Sequence, residues 1–169
     1  MARELSIKVK KLSDNAELPE YMYESDVGLD FRSNEDVTLK PMEQKHVKTG
    51  VAVIIPENHV GLIRDRAGIV SKMNVHTVAG TFDPEYRGEV TIGLVNFGEN
   101  EVMVEKGMRI AQMIIVPAAR VDVEEVDELP DTERSDKSFG STGIKDRAKL
   151  LKEIEDDLKK QQHEMIGDE

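Results

Sequence analysis

Branched aliphatic residues in this chain fall in short runs that alternate with polar ones and stop at turn formers, and this spacing constrains the fold most. Leu5, Ile7 and Val9 alternate with polar partners, the pattern of a strand with one face buried. Val37-Thr38-Leu39 repeats it ahead of Pro41. Over residues 46–55, Val47, Val51, Val53 and Ile55 share one parity, and Pro56 ends the run. Residues 60–63, 90–95 and 102–104 are further strand candidates, parted by Gly/Asn/Glu clusters such as Asn96-Phe97-Gly98-Glu99-Asn100. The run 109–116 is apolar enough for burial on both faces, and alternation resumes at Val121, Val123 and Val126. Short strands at regular spacing with no helical periodicity between them predict an antiparallel sandwich or barrel over residues 1–129.

Two later regions break this pattern. Residues 130–143 hold one aromatic and little else to bury, so they read as a mobile arm. In residues 144–169 the period changes: Ile144, Ala148, Leu151, Ile154, Leu158 and Met165 recur at helical spacing among charges. That predicts an amphipathic helical extension, whose narrow apolar stripe needs the barrel or sister helices to pack on.

Composition removes whole classes of function. With 34 acidic against 23 basic residues the net charge is -11, unsuited to a general nucleic-acid binder, which needs a basic face. Cysteine is absent, which excludes disulfide scaffolding, thiolate chemistry and sulfur-bound zinc, and suits a reducing cytoplasm. No apolar run approaches the ~20 residues of a membrane helix, and the N-terminus lacks a secretory pattern. A soluble, cytoplasmic protein is expected, with no membrane or nucleic-acid partner. Tryptophan is missing too, so Val, Ile, Leu and Met must build the core.

Phosphate-loop, dinucleotide and HExxH signatures are absent, and His46, His59, His76 and His163 show no metal-ligand spacing, so each reads as a surface or strand position. What remains is five glycine-bearing polar segments. Ser25-Asp26-Val27-Gly28-Leu29-Asp30 is by itself an ordinary turn. Arg64-Asp65-Arg66-Ala67-Gly68 sets arginines beside backbone N–H groups, a phosphate grip in form, although from this segment alone a charged turn is the favoured reading. Ala79-Gly80-Thr81-Phe82-Asp83-Pro84-Glu85-Tyr86-Arg87-Gly88-Glu89 is more specific: Asp83, Tyr86 and Arg87 share a tight turn between strand-like stretches. Gly107-Met108-Arg109-Ile110-Ala111-Gln112 opens the long apolar run with a buried-looking Gln112. Arg134-Ser135-Asp136-Lys137-Ser138-Phe139-Gly140-Ser141-Thr142-Gly143 joins one aromatic, an arginine and hydroxyls on a glycine-rich arm, suited to closing over a nucleotide. Stacking Phe139 on a base is worth ~1–3 kcal/mol.

In order and spacing these segments resemble the five motifs of the trimeric dUTP pyrophosphatase (dUTPase) family, from about Ser25 to Gly143. The resemblance implies an all-β, jelly-roll-like antiparallel β-barrel, assembled as a homotrimer with three active sites at subunit junctions. It implies hydrolysis of dUTP to dUMP and pyrophosphate with Mg²⁺. Asp83 matches the general base that activates water for attack on the α-phosphorus. Tyr86 matches the residue under the sugar that excludes a 2′-hydroxyl, and the backbone of Gly80, Thr81 and Phe82 the wall that reads uracil. Arg66, Ala67, Gly68 and Gln112 match phosphate contacts, and Thr77 a uracil-side position where Asn is common. Arg134, Phe139, Gly140, Ser141 and Thr142 match the closing arm, and Asp30 the carboxylate near magnesium, acting through bound water.

The chain departs from the family pattern in three places. Ala67 stands where motif two usually carries a serine, Thr77 replaces the common Asn, and a helix follows motif five. That helix is free to tether the arm, extend the trimer axis or bind an unidentified partner. Two alternatives share the fold: dCTP deaminase or a bifunctional relative, and a catalytically weak nucleotide-binding regulator. The deaminase uses a glutamate on the strand after the third motif, and here Gly93 lies near that place.

Overall fold

The structure is a computed structural model that describes residues 5–132 together with Ser135, Leu151, Lys152, Ile154 and Glu155. In chain order its elements are β1 (Lys8–Lys11), β2 (Leu29–Arg32), β3 (Val37–Leu39), β4 (Gln44–Ile54), β5 (His59–Arg64), α1 (Ala67–Met73), β6 (Val75–Val78), β7 (Thr81–Phe82), β8 (Glu89–Asn96), β9 (Val102–Val104) and β10 (Arg109–Pro117). One sheet runs β1-β4-β8-β6, a second β2-β10-β5-β7, and β3 pairs with β9 in a two-stranded ribbon. Every named pairing is antiparallel. The all-β, jelly-roll-like expectation holds, with one correction: the sheets are not closed into a barrel. The chain leaves β6, paired with β8, and enters β7, paired with β5, so each strand serves a different sheet and no ladder joins them at that corner.

The period-2 runs became strands because their apolar face has somewhere to go. Val47, Val51, Val53 and Ile55 are all no more than 2% exposed, while His46 and Lys48 on the other parity face outward. Between the sheets they meet Phe31, Val90, Ile92, Leu94, Ile110 and Met113. Full burial of such side chains is worth about 1.5–3 kcal/mol each. β1 lies at a sheet edge and carries Lys8, Lys10 and Lys11, charges that blunt an edge against further pairing. The buried Asn96 is satisfied: its Nδ2 donates to Leu39 O at 3.0 Å and Asn100 O at 2.8 Å, and its Oδ1 accepts from Gly98 N at 2.8 Å.

Three elements depart from the expected pattern. β2 was read as a turn, yet Leu29 and Phe31 alternate within it and Asp30 is buried beside them. α1 has only two turns and one buried residue, Ile69, too little for a helical period to register. It stops at Asn74, whose φ of 51° and N–H bond to Val70 O form a left-handed C-terminal cap. The alternation at Val121, Val123 and Val126 forms no strand; these side chains are exposed, Val123 at 95%.

Contacts divide the chain into two units, Met1–Asp122 and Val123–Glu169. In the second, Leu151, Lys152, Ile154 and Glu155 are helical, and the rest of the expected extension over 144–169 lies outside the described residues. Among the described residues no helix is long and apolar enough to cross a membrane.

Candidate active site

The corner between the sheets creates a cleft. Ala79 and Gly80 both take positive φ, 63° and 121°, as the chain turns from β6 to β7. A Cβ on Gly80 would lie 2.5 Å from Cβ of Ile63, so only glycine lets the strands approach this closely. Ile63 N then donates to Gly80 O at 2.8 Å, and Leu62 pairs with Thr81, which fixes the Gly80–Phe82 backbone as a ledge. Beyond it the chain reverses: Tyr86 N donates to Asp83 O at 3.1 Å, and Arg87 Nη1 donates to the carbonyls of Pro84 and Tyr86 at 2.5 and 2.9 Å. The Tyr86 ring meets Phe82 edge-on at 5.8 Å, and its hydroxyl donates to Glu89 O at 3.1 Å. It also lies over Gly88, where a Cβ would meet Tyr86 Oη at 2.3 Å.

The enclosed space is about 240 Å³, walled by Gly80, Thr81, Phe82, Asp83 and Tyr86 and floored by His46, Thr91 and Gly93. Asp83 is exposed into it, and among the described residues its carboxylate has no hydrogen-bond partner. Among the described residues no lysine or arginine lines this cleft. Gly93 is buried, and a Cβ there would stand 2.6 Å from Val78 O, so a glutamate at this position would have no room.

The remaining expected residues gather in a second group around Asp30. Its carboxylate is 7% exposed and accepts from Arg66 Nε at 2.8 Å, with Arg109 Nε 3.8 Å from the other oxygen. Burying a carboxylate is costly without such partners. Arg66 Nη1 also donates to Arg109 O at 3.2 Å, so the guanidinium bridges from the end of β5 to β2 and β10. Gln112, half-buried on β10, lies over Gly28, where a Cβ would overlap its side chain, and donates Nε2 to Asp65 O at 2.8 Å. Ala67 and Gly68 open α1 and are exposed; a Cβ at Gly68 meets nothing within 4 Å.

Sequence reasoning assigned no role to Asp65 or to the histidines near it, and the structure draws both into this group. Asp65 Oδ1 accepts from Thr77 N and Thr77 Oγ1, both at 2.6 Å, and Oδ2 lies 2.9 Å from His76 Nδ1. Burial opposes the charged form of Asp65, but the hydrogen bonds from Thr77 and His76 outweigh it and hold its carboxyl below the usual value. An ionised carboxylate only accepts, so His76 carries its proton on Nδ1. Thr77 therefore spends its hydroxyl on Asp65 and is not among the cleft-lining residues. His46, His59 and His76 do lie on strands, and His163 is outside the described residues. So are Arg134, Phe139, Gly140, Ser141 and Thr142.

A family model described as dUTPase matches residues 14–143, most of the chain. The chain belongs to the dUTPase family. It is 45% identical to a deoxyuridine 5′-triphosphate nucleotidohydrolase of Gloeothece citriformis over 142 residues, 83% of this chain and 98% of that protein. A Clostridium tetani protein of the same name is 42% identical over 142 residues, again 83% of this chain and 98% of its own length. Among solved structures, a Staphylococcus bacteriophage 80alpha dUTPase with dUpNHpp superposes with a TM-score of 0.77 at 35% identity, covering 82% of this chain and 99% of that one. A dUTPase of phage phi11 of S. aureus, in which coordination of a structural Mg(II) ion is described, has a TM-score of 0.70 at 29% identity, covering 75% of this dUTPase and 100% of the phage chain.

The described residues contain no group of three or more His, Asp or Glu side chains able to hold a metal ion. Asp30 accepts from Arg66 through Oδ1, which commits that oxygen to the guanidinium. Its Oδ2, 3.8 Å from Arg109 Nε, keeps acceptor capacity for a metal-bound water, so the donor set fits magnesium held at one remove.

Proposed function

We propose that this dUTPase hydrolyses dUTP to dUMP and pyrophosphate, with deoxyuridine in the Gly80–Tyr86 cleft and Asp83 as the general base. The observation that carries this reading is the convergence of the Gly80–Phe82 main chain, the Tyr86 ring and an unpaired Asp83 carboxylate on one small space. Main-chain donors and acceptors on the ledge pair with the polar edge of uracil, and pairing of that kind rejects analogues strongly. The Tyr86 ring, held against Phe82 and Gly88, packs beneath the sugar where a 2′-hydroxyl would collide. Asp83 orients a water and takes its proton as the oxygen attacks the α-phosphorus. The bond from that phosphorus to the bridging oxygen breaks, pyrophosphate leaves, and the proton passes from Asp83 to solvent.

Arg66, Gln112 and the backbone N–H groups of Ala67 and Gly68 bind the phosphates, and Arg134, Ser141 and Thr142 close over the γ-phosphate with Phe139 and Gly140. Asp30 would hold Mg²⁺ through a bound water, and the ion, when bound, would supply neutralisation of triphosphate charge. Because no cation among the described residues lines the cleft, a triphosphate seated there needs arginines from elsewhere. This supports a homotrimer in which one copy's Arg66 group faces the next copy's cleft. The lack of space at Gly93 disfavours deamination.

Pyrophosphate release measured across dUTP, dTTP, dCTP and UTP tests the assignment. Strong preference for dUTP with no ammonia from dCTP is expected; equal turnover of UTP would remove the role given to Tyr86.

A further inference from the structure

Asp65 belongs to neither the nucleoside cleft nor the set of phosphate contacts, yet its side chain and main chain together hold Thr77, His76 and Gln112. It occupies the link between β5 and α1, directly before Arg66. Through Oδ1 it holds Thr77 N and Oγ1 at 2.6 Å, and through Oδ2 His76 Nδ1 at 2.9 Å, so both carboxylate oxygens are spent on β6. Its main-chain carbonyl catches Gln112 Nε2 at 2.8 Å. The next residue sends its guanidinium to Asp30, 2.8 Å away. The His76 ring is seated in turn against Phe97, with ring centroids 5.4 Å apart. A short surface link would otherwise sample many conformations, and each would carry Arg66 and the Gln112 acceptor with it. Three hydrogen bonds to an ionised carboxylate are strong enough to select one.

We infer that Asp65 is the positioning residue of the phosphate grip, pinning the Arg66 link and the Gln112 side chain to strand β6 so that both meet the triphosphate in one geometry. The inference rests on the hydrolytic reading above and deepens it. Asp65 touches no substrate atom in this scheme; it acts through Arg66 and Gln112. Its loss should therefore weaken recognition of the triphosphate while leaving the nucleoside cleft, built by Gly80–Tyr86, intact.

The test compares Asp65→Ala, Asp65→Asn, Thr77→Val and Thr77→Ser with the unaltered chain. The readouts are kcat and KM for dUTP, together with binding of dUMP and of a non-hydrolysable imido analogue of dUTP. Asp65→Ala should weaken the triphosphate analogue about tenfold or more, the loss expected when charge-assisted bonds that orient a binding group disappear. Binding of dUMP should change by less than about twofold, because the cleft keeps its own hydrogen bonds. Asp65→Asn keeps an acceptor for Thr77 and should fall between. Thr77→Ser should restore what Thr77→Val loses. Equal weakening of both ligands, or unaltered kcat/KM in Asp65→Asn and Thr77→Val, overturns the positioning role. The two Thr77 variants carry the test if Asp65→Ala fails to fold. If the unaltered chain does not hydrolyse dUTP, the hydrolytic reading itself is what fails.

Discussion

Asp83 and Ala67 put opposite demands on chemistry. Asp83 is exposed in the cleft, and among the described residues its carboxylate has no hydrogen-bond partner, which suits the general base proposed for it. Replacing it with Asn keeps size and polarity but removes the basic oxygen. Asp83→Asn should bind the imido analogue normally and release pyrophosphate about 10²–10⁴-fold more slowly, the usual worth of a general base. Ala67 offers a gain instead. It opens α1 on the surface, where a serine hydroxyl can be added without displacing packed atoms. One more hydrogen bond to a charged group is worth ~1.5–3 kcal/mol, so Ala67→Ser should raise kcat/KM for dUTP about tenfold or more. Unchanged steady-state kinetics would show that the backbone already satisfies that phosphate oxygen. Both residues were legible in the chain because each sits in a segment whose neighbours narrow its role.

The runs at β3, β4, β5, β8, β9 and β10 are legible as strands in the sequence, whereas β2, β6 and β7 are not. Along β4, Val47, Val51 and Val53 repeat one buried parity and Ile55 continues it past the strand's end, while Gly50 and Ala52 on the other parity are buried too. β2, with four residues, had no such redundancy, and its buried Asp30 looked like a turn residue until Arg66 was seen to pair with it. α1 spans two turns, and its clearest local mark is Asn74 in the left-handed region at its end. Val121, Val123 and Val126 show the reverse error, since alternation without a partner strand buries nothing. β8 is an inner strand of its sheet, between β4 and β6. Leu94 is fully buried there, so Leu94→Ala should cost about 2–5 kcal/mol, read as a lower midpoint in urea unfolding.

The molecule as a body is acidic, at -11, and among the described residues no lysine or arginine lines its cleft. Under the proposed function, Arg66, the arm and a divalent ion would overcome the repulsion of a triphosphate. Removing that ion with a chelator should abolish most pyrophosphate release, and added Mg²⁺ should restore it. Activity that persists in excess chelator would leave neutralisation to the arginines alone. Arg66, Gln112 and Asp30 are not among the residues lining the cleft, so under the proposed function a neighbouring copy has to bring them to it.

Alternation of aliphatic residues and the order of five polar segments were sufficient to give the all-β class, the family and the residues of the cleft. Those properties are local: a strand's period and a turn's composition are set by neighbours along the chain. The open corner at Ala79-Gly80, the commitment of Asp30 to Arg66, and the capture of Thr77, His76 and Gln112 by Asp65 are different in kind. They pair residues as many as 47 positions apart, as Asp65 and Gln112 are. Spacing along a chain carries no record of which distant groups a folded sheet brings within a hydrogen bond, so packing had to settle them.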